Sequence, residues 1–450
     1  MDVIRNIAGG FPLQVRSTVS ILLSISLYII YLFVNYSSKN LPSESLMSSY
    51  DFIIIGGGTA GIVIANRLSE IEDWNVLLLE AGGDGSIIYD IPATAANLQL
   101  TEIDWKYTTE PSRNHCKAMK EGRCLWPRGK VMGGSSTMNY MLYVRGNKKD
   151  YDIWEQLGNQ GWSYKDVLSY FKKSEDNQNQ NYAKTSYHST GGYLTINESQ
   201  WQGPLGNAFL QAAQEMGYEN RDVNGERQTG FMFPQGTVRH GSRCSTGKAF
   251  LRPISARKNL HVAMQAHVTK ILIDPSSKRA YGVEFLRDGR ALRVRANKEV
   301  ILSAGSINSP QLLMLSGIGP EEHLAEHGIP VIQNLSVGYN LQDHIFAGGI
   351  TFLLHENISL VESKLYNIQY MLEYALTGTG PLTLLGGVEA LGFINTKYAN
   401  ASDDFPDIQL VFVPWGMNTD GGKVFKVIHG LTTEFYNSVY GNFIGRDAWT

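Results

Sequence analysis

The sequence has few cysteines and almost no excess charge. Its 450 residues include three cysteines, and 39 lysines and arginines against 42 aspartates and glutamates leave a net charge of −3. Without a long basic run, a basic helix or zinc-finger spacing, nothing favours nucleic-acid binding. No internal period of about 20–50 residues is present, which excludes solenoids and propellers. The length predicts two or three domains.

The positions of the three cysteines predict no zinc site, and they leave open whether two of the cysteines form a disulfide. No histidine cluster lies near Cys116, Cys124 or Cys244, so no zinc site is expected. The first two cysteines share a stretch with a turn-like composition. They are expected to form a local disulfide if the compartment is oxidising, and two unpaired thiols are the alternative.

The N-terminal region contains one long uncharged stretch. Between Arg16 and Lys39 there is no charged side chain, and residues 19–34 read VSILLSISLYIIYLFV. As a helix, the uncharged stretch would span about 33 Å, close to the roughly 30 Å of a bilayer core. Residues 1–46 are therefore predicted to be a signal peptide or a membrane anchor with its linker, the anchor being slightly favoured. Because Arg5 and Arg16 precede the stretch, the rest of the chain should face the lumen or the exterior.

Four glycosylation sequons fit the same secretory compartment. Each triplet is a weak signal alone, but together with the apolar stretch they predict an extracellular or membrane-anchored glycoprotein. The acceptor asparagines are Asn197, Asn334, Asn357 and Asn400.

A glycine-rich turn follows the first predicted strand. Residues 50–55 form an apolar run typical of a buried strand, and residues 62–68 continue with helical periodicity. Residues 74–79 form a second apolar run, which ends at Glu80. This order of strand, glycine turn, helix, strand and acid is typical of a dinucleotide-binding unit.

Each residue of the turn has a physical reason to be there. Gly56 allows the tight turn, Gly58 lets the backbone approach a pyrophosphate, and Gly61 lets the helix pack on the strand. The helix start, with Thr59 and Ala60, supplies amide hydrogens to the phosphates. Glu80 can accept hydrogen bonds from a ribose and would repel a 2′-phosphate, which argues against NADP. These residues do not decide between FAD and NAD.

Three longer segments resemble one known family. Residues 128–146 read RGKVMGGSSTMNYMLYVRG, residues 304–319 read AGSINSPQLLMLSGIG, and residues 337–344 read VGYNLQDH. The first two resemble the signatures of the glucose–methanol–choline oxidoreductase family, and the third is similar to a further recurring segment. The resemblance runs from about residue 50 to the last residue. It is closest to the insect branch of FAD-dependent glucose dehydrogenases.

The resemblance implies an α/β fold with a Rossmann-like FAD-binding domain and an interleaved α+β substrate domain. Residues 47–146 and 241–344 are assigned to the FAD domain. Residues 147–240 and 345–450 are assigned to the substrate domain, whose second part is expected to be incomplete.

The resemblance also implies which residues surround the cofactor. A small-residue turn at Gly134 and Ser135 would approach the ring or the phosphates, and the backbone of Val268 would meet the adenine. Met138 stands where some members attach the flavin through histidine, so the FAD is expected to be non-covalent. The residues expected to line the flavin are Val131, Asn139, Tyr140, Met141 and Leu142, with Asn139 as a polar partner near the reactive edge.

The implied activity is oxidation of a small alcohol or sugar, with hydride transfer to the flavin. Electrons would pass to a quinone or another acceptor, and oxygen is the neighbouring option. No histidine of this chain matches the family's catalytic base, which is expected beyond Thr450, so the chain is interpreted as C-terminally truncated. His344 is interpreted as structural. The alternatives are a catalytically inactive flavin-fold binding protein and, less favoured, an NAD enzyme.

Two local predictions concern the remaining sequence. Residues 172–184, rich in Lys, Asn and Gln, are expected to form an exposed loop. Ser309 and Pro310 are expected to begin a helix, because proline is tolerated at the first helical position.

Overall fold

The computed structural model describes residues 46–450 apart from residues 348–349, 366 and 401. The strands of three or more residues are β1 (Ser49–Ile55), β2 (Val76–Leu79), β3 (Glu175–Asn177), β4 (Leu194–Glu198), β5 (Gly230–Met232), β6 (Leu260–Ala263), β7 (His267–Ile273), β8 (Ala280–Arg287), β9 (Arg290–Leu302), β10 (Ala390–Ile394) and β11 (Ile408–Phe412). The α-helices are α1 (Thr59–Leu68), α2 (Lys148–Gln156), α3 (Tyr164–Ser174), α4 (Gln180–Ala183), α5 (Pro204–Glu215), α6 (Gly305–Leu315), α7 (Glu321–Glu326), α8 (Glu362–Leu365), α9 (Ile368–Thr377), α10 (Phe425–Ile428) and α11 (Thr433–Tyr440).

The largest sheet has six strands in the order β6-β2-β1-β9-β8-β7. Strand β1 pairs in parallel with β2 and with the second half of β9, where Ile55 lies opposite Leu302. The first half of β9 pairs in an antiparallel manner with β8, which pairs with β7. One long strand therefore belongs both to a parallel layer and to an antiparallel meander.

The alternation of side chains along β1 explains how both faces of the parallel layer are covered. Phe52 and Ile54 share one hydrophobic cluster with Ile62 of α1. Ile53 and Ile55 share another with side chains of the meander and of α6, such as Phe285 and Leu312. A strand buried on both faces reads as a continuous apolar run, which is the pattern of residues 50–55.

A second, antiparallel sheet combines distant parts of the chain. Its order is β11-β10-β5, and helix α5 packs on it through Leu205 and Leu210, beside Phe231 and Phe412. Segments of both ranges assigned to a substrate domain thus share one core. The exact domain boundaries stay a prediction.

Residues 172–184 are not an exposed loop, contrary to the sequence-based expectation. Helix α3 continues to Ser174, and β3 follows with Glu175 and Asn177 buried. The charge of Glu175 is compensated by Arg145 and by His188, which contact its two carboxylate oxygens.

Helix α6 begins before the predicted residue. It starts at Gly305, so Pro310 lies inside the helix. Gly305 has φ +86°, a conformation that glycine adopts at no steric cost and that turns the chain abruptly from β9 into the helix. Gly305, and not Pro310, therefore determines where the helix begins.

The expected signal or anchor of residues 1–46 lies, except for its last residue, outside the described part of the chain. Within the described residues no helix is both long and apolar enough to cross a bilayer.

Candidate flavin-nucleotide site

A cavity of about 700 Å³ opens where β1, β2 and β9 end. Its walls include Ile55, Leu79 and Leu302, the last residues of those three strands. Ligands of open α/β sheets bind outside the carboxyl ends of the strands, so this position is the expected one for a nucleotide. The volume is within the usual range for cofactor sites.

The glycine turn between β1 and α1 leaves space that other residues would fill. Gly56 has φ +102°, and a β-carbon there would meet the carbonyl oxygen of Ser303. A β-carbon on Gly61 would collide with the carbonyl oxygen of Gly56. Gly58 meets only the α-carbon of Gly134, 3.8 Å from an added β-carbon. Gly56 and Gly61 thus permit the turn, while Gly58 keeps its surface open.

The second predicted element, the small-residue turn of the first signature, lies directly against the first. The amide of Gly133 donates to the carbonyl of Gly57 over 2.8 Å. Gly134 has φ +55°, and a β-carbon on it would lie 2.7 Å from the α-carbon of Gly58. The Ser135 hydroxyl accepts from the amide of Gly129 over 3.1 Å. Two glycine turns far apart in sequence therefore form one cradle of backbone.

Glu80 is the buried acid of the site. Its Oε2 accepts from the amide of Gly57 and its Oε1 from the amide of Gly82, both over 2.8 Å. Burial raises the pKa of Glu80 to about 7, although the two amides and the charge of Lys130 act in the opposite direction. A carboxylate held at the end of β2 can accept hydrogen bonds from ribose hydroxyls.

The other predicted residues divide into two groups. Thr59, Ala60, Gly134, Ser135 and Val268 line the cavity together with Gly56, Gly58 and Glu80. Gly61 lies beneath the turn. The predicted flavin-lining residues are outside the cavity wall: Val131 and Met141 are buried, Asn139 is exposed, Leu142 is half-buried, and the Tyr140 hydroxyl accepts from Gln99.

Several cavity residues were not found from the sequence. Trp105, Arg128 and His267 line the same cavity, and the ring of Trp105 stacks on Tyr107 with centroids 5.8 Å apart. Lys130 places its Nζ 4.8 Å from the centroid of Trp105. His267 directly precedes Val268, which was predicted to meet the adenine, so the sequence does indicate that His267 lies near the cavity. Trp105 carries no such signal, because only the fold brings it to the strand ends.

The cradle fits FAD on structural grounds. The glycine backbone, the start of α1 and the buried acid Glu80 suit a dinucleotide, and the second turn adds Gly134 and Ser135 to the cavity wall. The six-stranded sheet with its meander is the FAD-binding fold of a flavoprotein oxidoreductase.

Comparisons with known proteins define the family. The sequence matches the GMC oxidoreductase family over residues 50–346. It is 44% identical over 365 residues, 81% of this chain, to the Drosophila melanogaster protein named glucose dehydrogenase (FAD, quinone). It is 37% identical over 397 residues, 85% of this chain, to the Pseudomonas putida protein named alcohol dehydrogenase (acceptor), of which it covers 68%. The chain belongs to the GMC oxidoreductase family, and the cofactor of that family fold is FAD.

A solved structure supports the same fold. The chain resembles a formate oxidase with a TM-score of 0.71 and 27% identity, over 83% of this chain and 70% of that one. The chain spans 57% of the length of the Drosophila glucose dehydrogenase.

Proposed function

We propose that the protein is an FAD-dependent oxidoreductase that acts on the CH–OH group of an alcohol or a sugar. The observation that carries the proposal is the cradle formed by the turns at Gly58 and Gly134 beside the buried acid Glu80. The relatives' names add the substrate class, because they include a glucose dehydrogenase and an alcohol dehydrogenase. A quinone or another electron acceptor is proposed as the second substrate.

In this proposal the chain holds FAD without a covalent bond. The amides at the start of α1 bind the phosphates, Glu80 binds the ribose, and the backbone of Val268 meets the adenine. Asn139 and the residues around it face the flavin. Bound FAD supplies an acceptor for a hydride from the substrate carbon. The substrate hydroxyl also needs a base for its proton, and we propose a histidine for that role.

We further propose a secretory location. Cys116 and Cys124 form a disulfide, the pairing that was expected in an oxidising compartment. The sequon asparagines Asn334, Asn357 and Asn400 are exposed, as a glycan requires. Membrane attachment through the apolar N-terminal stretch belongs to the same proposal.

Anaerobic titration of the FAD-loaded protein with glucose and with primary alcohols tests the activity. The proposed function predicts bleaching of the visible flavin absorbance by at least one substrate, and reoxidation by a soluble quinone. The second candidate, a flavin-fold binding protein, predicts bound FAD that no substrate of either class reduces. A folded protein that takes up no FAD contradicts both.

A further inference from the structure

Arg243 lies fully buried beneath the loop that carries Asn139. It belongs to a hairpin in which Val238–Arg239 pairs with Ser242–Arg243. Its side chain is 0% exposed, although arginine is rarely buried without a specific partner. The position is not part of any segment that suggested the family from the sequence.

The guanidinium of Arg243 binds the Asn139 loop at several points. Its Nη1 donates to the carbonyl oxygen of Asn139 over 2.7 Å, and to the side-chain Oδ1 of the same residue over 2.9 Å. The same nitrogen lies 3.2 Å from the carbonyl oxygen of Ser136, and Nε donates to the carbonyl oxygen of Tyr89 over 2.9 Å. One side chain therefore ties both ends of the loop at residues 136–139 to the segment at residue 89.

These contacts fix which way the amide of Asn139 points. Its Oδ1 accepts from Nη1 of Arg243 and also from the backbone amide of Met141 over 3.0 Å. Only the oxygen of a side-chain amide can accept two N–H donors, so the assignment of oxygen and nitrogen is determined. The contacts with Arg243 and Met141 therefore use the oxygen of this amide and not its Nδ2 group, and the residue as a whole is exposed.

Burial of the Arg243 guanidinium is energetically unfavourable. Burial lowers the pKa of Arg243 to about 10, with the charge of Asp90 acting in the opposite direction, so the group stays cationic at neutral pH. Its Nη2 has no hydrogen-bond partner among the described residues. A buried donor without a partner is unfavourable, so its presence needs an explanation.

We propose that Arg243 is a positioning residue of the flavin site, which holds Asn139 so that its Nδ2 group is presented to the bound isoalloxazine ring. The inference rests on the proposed function. It adds a residue that the signatures do not contain, and it gives the exposed Asn139 one defined orientation.

Affinities for FAD and for ADP, measured by calorimetry on the full chain, separate the ring from the nucleotide half. Arg243→Lys keeps the charge but cannot serve the four acceptors. It is expected to weaken FAD binding by about tenfold and to change ADP binding by less than about twofold. Arg239→Lys is the matched control: it lies on the same hairpin, and its guanidinium bonds Thr195 and Tyr193 instead. It should leave both affinities unchanged.

A second variant keeps the test independent of how Arg243→Lys folds. Asn139→Asp retains the acceptor for Arg243 and Met141 but cannot donate to the ring. It should weaken FAD binding to a similar degree, and the two substitutions combined should weaken it little further, because they remove one interaction. Both variants should also shift the visible absorption maximum of bound FAD, a readout that a purely structural role would not move.

Three outcomes would overturn the inference. The first is that Arg243→Lys lowers FAD and ADP affinity equally, and the second is that it lowers neither. The third is that Asn139→Asp binds FAD as the unmodified protein does. If the unmodified, folded protein binds neither FAD nor ADP, the proposed function fails and the positioning role fails with it.

Discussion

The protonation state of Glu80 changes with pH near neutrality. Its two carboxylate oxygens accept backbone amides, which favours the ionised form, but burial dominates and raises the pKa to about 7. Ribose hydroxyls donate to a carboxylate, so a bound nucleotide favours the ionised form and lowers the pKa of Glu80 again.

This linkage fixes the sign of a pH effect on binding. FAD affinity should rise as the pH increases from about 6 to about 8, by several-fold, and level off above the pKa of Glu80. Glu80→Gln should bind more weakly and lose this pH dependence. Glu110→Gln, at a carboxylate whose side chain is 91% exposed, is the control and should follow the unmodified protein. Fluorescence quenching of FAD at each pH measures the effect, and an unchanged slope in Glu80→Gln contradicts it.

The residues in and around the candidate site differ in how well the sequence predicts them. Gly56, Gly58 and Glu80 are predictable because each acts within one local strand–turn–helix–strand unit, whose spacing is visible in the chain. Trp105 and Arg243 are not predictable in this way. Their roles arise from contacts with segments far away in sequence, and nothing in their immediate neighbourhood marks them.

Among the elements, β3 shows why a polar run can be misread. Glu175 is completely buried there because Arg145 binds one of its oxygens and His188 the other. The second nitrogen of His188 lies 2.8 Å from Asp222. Partners from two other segments thus compensate the charge of Glu175, and a window of sequence around residue 175 shows only that charge.

The same network makes stability depend on pH. Burial alone would lower the pKa of His188, but hydrogen bonds to Asp222 and Glu175 outweigh it and raise that pKa. A raised folded-state pKa means that the stabilisation is complete below about 6.5 and is lost as the pH rises through the folded-state value. Urea unfolding should therefore show a higher free energy of unfolding at pH 6 than at pH 9.

Substitution isolates this contribution. His188→Gln should destabilise the protein by about 3 kcal/mol at pH 6, because it removes the cation that lies between Glu175 and Asp222 and leaves Glu175 with Arg145 alone. Its stability should also change less with pH than that of the unmodified protein. His115→Gln, an exposed histidine that contacts the Ser112 hydroxyl, is the control and should be neutral. A His188→Gln protein with the original pH profile contradicts the account.

For the whole molecule, the disulfide loop joins the region beside the cavity to the late part of the chain. The amide of Lys120 donates to the carbonyl of Gly430 over 2.8 Å, and that of Thr432 to the carbonyl of Ala118 over 3.0 Å. Both contacts lie within or next to the loop closed by Cys116 and Cys124. The disulfide therefore stabilises a long-range contact as well as a short loop.

Removal of this disulfide should reduce stability without abolishing the site. A Cys116→Ser, Cys124→Ser double variant should lose about 2–3 kcal/mol, the amount expected for a loop of this size. Its FAD affinity should stay within about twofold of the original. Dithiothreitol should lower the unfolding midpoint of the unmodified protein and leave that of the double variant unchanged. An equal response of both proteins is the contrary result.

The fold class followed from the sequence, but its arrangement did not in full. The parallel strands β1 and β2 and the glycine turn between β1 and α1 are local patterns, which the sequence shows directly. Strands β6 and β7 lie at opposite edges of the six-stranded sheet. This arrangement depends on β9, which pairs with β1 along one half and with β8 along the other, and no window of sequence reveals it. The pairing of β5 with β10, which are far apart in sequence, is likewise not visible in any window of sequence.

The most direct test of the central claim is calorimetric titration of the full chain with FAD, beside Gly134→Ala and Gly83→Ala. The account predicts saturable binding to the unmodified protein and about tenfold or weaker binding to Gly134→Ala, whose new methyl would press on Gly58. Gly83→Ala, where an added β-carbon meets nothing within 4 Å, should bind as the unmodified protein does. Folded protein without measurable FAD binding, or equal binding by all three proteins, would contradict it.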